Sequence, residues 1–142
     1  MNENHVQQIF AHYIDKFEYI NNPTNQEYYK WQIAKRFRDE MDSALADPAE
    51  EFSTKLYDVK KLTANIIDSY TQPFHGLVRF AEQEPETVRN MFKQLLADSD
   101  RRDSLQERVQ AFLAKSLSLR DKYYPESYLY RDDMHSVTGY LF

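Results

Sequence analysis

Pro73–Asp98, PFHGLVRFAEQEPETVRNMFKQLLAD, is the stretch on which the fold of this chain turns. Pro73 suits a first helical turn, where its missing N–H costs nothing. Phe74, Leu77, Val78 and Ala81 then recur on one face at helical spacing. Pro85 ends that helix and begins another, because its ring disfavours helical geometry at Glu84 and fits a first turn. Val88, Met91, Phe92, Leu95 and Leu96 follow as a full apolar stripe. Two stiffly joined amphipathic helices therefore form the expected centre of the fold. Nothing in them specifies a reaction.

Toward the C-terminus, Ser99 and Asp100 read as the cap of a helix carrying Leu105, Val109, Phe112, Leu113 and Leu117 inward, which ends at Tyr124–Pro125. The remaining SYLYRDDMHSVTGYLF has mixed periodicity. Toward the N-terminus, Thr63–Gln72 (TANIIDSYTQ) loses the helical period but keeps Ile66, Ile67 and Tyr70, as an ordered connection pinned to the core would. Before it, Asp47 as cap, Pro48 at the first helical position and Glu50 in the first turn predict a short helix with Phe52, Leu56, Val59 and Leu62. A helix with Tyr28, Trp31, Ala34, Phe37, Met41 and Leu45 facing inward precedes that one, opened by a capping box of Thr24 and Glu27. The first helix spans about Glu3 to Ile20, with Val6, Ile9, Phe10, Tyr13, Ile14, Phe17 and Ile20 on one long apolar face.

A chain of 142 residues fits one domain and buries about 68–70% of its unfolded surface. Only 2 Gly, 15% aromatic residues and no strand pattern predict an all-α, single-domain bundle of six to seven helices over residues 1–142. The net charge of −5 disfavours broad phosphate neutralisation. Without cysteine there is no disulfide, thiolate metal site or cysteine nucleophile. No apolar run has membrane-spanning length and MNENHVQQIF lacks a signal-peptide pattern, so no membrane association and a cytoplasmic location are expected.

Chemistry-bearing residues are scattered. His5 and His12 lie seven apart, too far along a helix to share one metal ion, and His75 and His135 stand alone. Acids cluster at Glu50–Glu51, Glu82–Glu84–Glu86 and Asp132–Asp133; a carboxylate pair serves acid–base chemistry only where burial separates the two pKa values, and those at Glu82 to Glu86 read as charges at a helix junction. Two lone glycines exclude a phosphate-cradling loop, and no GxSxG elbow is present. No catalytic residue, metal or cofactor is expected. The basic positions Lys35, Arg36, Arg38, Arg101, Arg102 and Arg108 are the candidates for nucleic-acid contact, although acids stand beside most of them. Trp31 with Tyr28 and Tyr29 could form a partner groove, or simply core.

Several of these segments resemble the helical region that precedes the AAA+ motor in McrB-like restriction GTPases and ATPases. YYKWQIAKRF (Tyr28–Phe37), NIIDSY (Asn65–Tyr70), the Pro73–Asp98 block, LQERVQAFLAK (Leu105–Lys115) and YRDDMHSVTGYLF (Tyr130–Phe142) occur in the corresponding order and at compatible spacing. The resemblance implies an N-terminal domain contributing target recognition, possible DNA contact or partner docking. Its partners would be the motor of the same protein and a nuclease subunit. The motor's own motifs are absent here, so the resemblance carries no GTPase or ATPase activity to any residue of this chain.

The expected function is a non-enzymatic recognition or adaptor domain of a restriction or phage-defence protein. The alternative is a free-standing helical interaction module that binds through exposed aromatics and has no nucleic-acid role. Tyr140, Leu141 and Phe142 close the chain without a stop signal, which predicts a fragment of a longer protein. Leu141 and Phe142 are then expected to be packed within the chain or across a homodimer.

Overall fold

The computed structural model describes residues 3–20, 22, 24, 26–63, 66–67, 70–97 and 102–141. Among them are seven α-helices and no strand: α1 (Glu3–Ile20), α2 (Gln26–Ala46), α3 (Phe52–Thr63), α4 (Pro73–Gln83), α5 (Pro85–Leu95), α6 (Arg102–Tyr123) and α7 (Met134–Gly139). The all-α expectation holds. The chain divides into two compact units, Met1–Lys35 and Arg36–Phe142, with the boundary inside α2.

In the second unit the core is a chain of packed neighbours: α3 against α4, α4 against α5, α5 against α6, and α6 against α7. Every apolar residue that the sequence assigns to the faces of α4 and α5 is buried. One residue, Glu84, separates the two helices, its N–H closing α4 on the Phe80 carbonyl (2.8 Å) and its carbonyl opening α5 (3.1 Å). Aromatic rings knit the helices together. Phe92 of α5 lies 6.4 Å from Phe52, 6.1 Å from Phe74, 5.1 Å from Phe112 and 6.1 Å from Tyr140, edge to face with Phe74 and Phe112 and tilted against the other two. Phe37 of α2 joins through Phe74 at 6.1 Å.

Several expectations are corrected. Trp31, expected to face inward, is exposed, and so are Ile9, Phe10, Tyr13, Ile14 and Phe17 of α1. On α2, Phe37, Met41 and Ala44 are buried and Leu45 half-buried. Pro48 leads into a short 3₁₀ turn, Ala49–Glu51, and α3 starts only at Phe52; Asp47 pairs with Lys55 at 3.0 Å. Thr24 donates its hydroxyl to Asn22 Oδ1 (2.7 Å). The side chains of Tyr28 and Glu27, and the Ser99–Asp100 cap, lie outside the described residues. In the connection before α4, Ile67 packs on the core while Ile66 and Tyr70 are exposed. On α6, Leu105 is exposed, and the buried seam runs through Val109, Phe112, Ser116 and Leu119 instead of Leu117. The mixed C-terminal segment contains α7, held by a capping box in which Asp133 accepts from the Ser136 N–H (2.7 Å) and Ser136 Oγ accepts from the Asp133 N–H (2.9 Å). Tyr140 is fully buried and Leu141 packs on the core; Phe142 lies outside the described residues.

The segment after α6 is threaded over the start of α4. Tyr130 donates its N–H to the Thr71 carbonyl (2.6 Å), and both Gln72 (φ 50°) and Tyr130 (φ 62°) take left-handed backbone. Gly76 makes this approach possible, since a Cβ there would stand 2.5 Å from Tyr130 Cβ and 2.9 Å from its Cα. Gly76→Ala should therefore cost about 1–3 kcal/mol by overpacking, read as a lowered urea midpoint. An unchanged midpoint would contradict this packing.

Candidate functional site

The basic residues singled out from sequence occupy different roles. Arg38 of α2 donates Nη2–H to the Leu96 carbonyl (3.3 Å) and pairs with Asp42 (3.5 Å). Arg108 of α6 donates to the carbonyls of Leu95 (3.0 Å) and Ala97. Two guanidiniums thus converge on the C-terminal end of α5, where unpaired carbonyls and the helix dipole concentrate negative potential. Arg89 repeats the device at the end of α2, donating Nε–H and Nη2–H to the Leu45 carbonyl at 3.2 and 2.8 Å. Arg36 is exposed beside Glu40 at 3.8 Å, and Lys35 is exposed. Arg102 opens α6 with its side chain outside the described residues, as is all of Arg101. The structure therefore brings Arg38 and Arg108 to one helix end, occupied with backbone carbonyls.

Two carboxylates of the second unit each accept several hydrogen bonds, Glu84 half-buried and Asp132 buried. Glu84, at the α4–α5 junction, receives Lys122, the Tyr123 hydroxyl (2.6 Å) and the Thr87 hydroxyl (2.9 Å). The Lys122 ammonium, and then the Tyr123 and Thr87 hydroxyls, hold its pKa down at about 2. It is a clamp from α6 onto the junction. Asp132 is 2% exposed and faces hydroxyls, accepting from Ser116, from Ser136 (2.9 Å) and from Tyr140 (2.7 Å). Burial pushes its pKa up, against the pull of those hydroxyls, and Asp133 adds to the rise. Sequence reading noted Asp132 only as one of a pair of adjacent acids. The available signal was Ser116, a polar residue at the position where the α6 seam should continue.

A groove of about 570 Å³ lies between α5 and α6, lined among others by Asn90, Met91, Gln94, Arg108, Phe112 and Lys115. No group of three or more His, Asp or Glu among the described residues could hold a metal ion. No described helix is long and apolar enough to cross a membrane.

The strongest surface feature is α1. Ile9, Phe10, Tyr13, Ile14 and Phe17 share one face and are between 49% and 68% exposed. Tyr13 and Phe17 meet edge to face at 6.1 Å. At about 200 Å² per large side chain, the five leave on the order of 550 Å² of apolar surface open. That matches the top of the roughly 300–600 Å² range for the largest patch on a monomer, where such patches are often functional. Trp31, 69% exposed, and Tyr29 add aromatic surface to the same unit. Periodicity had identified the stripe as one long apolar face without saying what covers it. Comparison with family models, with curated proteins and with solved structures finds no match for this chain.

Proposed function

We propose that this chain is a non-enzymatic recognition or adaptor domain whose α1 docks an apolar helix of a protein partner. The observation that carries the reading is the open stripe from Ile9 to Phe17. An amphipathic helix that keeps such a face in water gains most by laying it against another helix. A protein surface is favoured over DNA because Arg38 and Arg108 are engaged at the end of α5 and the net charge is −5. The resemblance to the McrB-like N-terminal region supplies a setting: a domain that delivers target or partner contacts to a motor elsewhere in its protein and to a nuclease subunit.

The test uses a fluorescent dye that brightens on apolar surface. In dilute solution the wild-type chain should bind it, and Phe10→Glu combined with Phe17→Glu should remove most of the signal while far-ultraviolet dichroism stays unchanged. A signal that survives both substitutions would contradict the reading.

A further inference from the structure

We infer that the helix α1 takes is α1 of a second copy of this chain, joined about a two-fold axis. This inference rests on the docking reading above and names its partner. Val6, Phe10, Tyr13 and Phe17 follow one another at spacings of four, three and four, and the sequence continues the series at Ile20. That is the heptad seam through which like helices pair. Ile9 and Ile14 widen it on either side, and no charged residue lies among these positions. Laid on itself, the stripe therefore buries no uncompensated ion and sets no like charges face to face. Only the Tyr13 hydroxyl needs a polar neighbour.

The area points the same way. A helix of 18 residues is about 27 Å long, enough for two heptads of contact. A stable interface takes about 800 Å² from each partner. The roughly 550 Å² of apolar surface on α1 would make up about two-thirds of that, close to the ~65% apolar character of homodimer interfaces. The flanks supply the polar rim, with His5, His12 and Lys16 along one edge and Gln7 and Glu18 along the other. A two-fold arrangement makes each residue of the stripe part of its own complement, which an unrelated partner would have to provide separately.

The experiment is sedimentation equilibrium on the full chain from about 1 to about 100 μM, spanning the usual range of modest affinities, with thermal melting of the same samples. The wild type should approach twice the monomer mass. Phe10→Glu with Phe17→Glu should remain monomeric throughout and melt like dilute wild type. Dimers in both chains would overturn the inference, because another surface would then be pairing. A wild type that stays monomeric, with a variant that melts like it, would overturn self-pairing and leave the docking reading standing. A wild type that stays monomeric, with a variant that melts far lower, would show the stripe packed within its own chain and overturn both. Should the double variant fail to fold, Ile14→Lys at a 68% exposed position decides by the same masses and melts.

Discussion

Phe92→Ala is expected to cost about 3–5 kcal/mol. Phe92 is fully buried and its ring meets four others, from α3, α4, α6 and the C-terminal turn. Removing it leaves a cavity bounded by rings that belong to different helices and cannot all close in together. Domains of this size have about 5–15 kcal/mol of total stability, so the variant should lose much of its cooperative melting. Denaturant unfolding followed by far-ultraviolet dichroism measures it. A loss below about 1 kcal/mol would mean that the rings do not form one cluster.

The second large effect lies at Asp132. Truncation to alanine strands the hydroxyls of Ser116 and Tyr140, both fully buried, without their acceptor. Two buried hydroxyls that lose their carboxylate acceptor, at about 1–3 kcal/mol each, give an expected cost of about 2–6 kcal/mol. The same site sets a pH dependence. Because burial raises the Asp132 pKa in the folded chain, the folded state keeps a proton that the unfolded state has already released. Stability therefore falls as pH rises from the ordinary carboxylate range through the raised folded value. Glu84 has the opposite sign and a lower window: its contribution is present above about 4.5 and is lost as pH falls toward about 2. Asp132→Asn should flatten the upper limb while leaving the lower one unchanged, as read from urea midpoints across pH. A variant that kept the wild-type decline at rising pH would assign that decline to another group.

The centre of the fold was legible because Pro73 and Pro85 fix where two helices begin and the stripes between them are uninterrupted. Periodicity reports that a helix has an apolar face, and says nothing about what covers it. For that reason Trp31 reads as facing inward and stands exposed, and the apolar stripe of α1 gives no sign of what covers it. Polar residues in buried positions are invisible to the same scan. Ser116 and Asp132 hold α7 and Tyr140 to α6 by hydroxyl–carboxylate bonds that only the three-dimensional path of the chain creates. The arginines show a related limit. A cluster of positive charge in sequence suggests a phosphate site, yet Arg38 and Arg108 reach the end of α5 from two other helices, and neither spacing nor charge encodes that convergence. Six-residue α7 carried too few apolar positions for a period, and its Asp133–Ser136 cap was the sole local sign of it.

The account's central claim is that stability resides in the buried residues from Phe37 to Tyr140 while the α1 stripe is kept for docking. Deleting residues 1–25 and measuring the unfolding free energy, at a concentration where both chains are monomeric, tests it most directly. The shortened chain should unfold cooperatively within about 1 kcal/mol of the full one, as exposed side chains contribute little each. A loss of about 3 kcal/mol or more, the scale of removing buried aromatic residues, would place α1 in the core and contradict the claim.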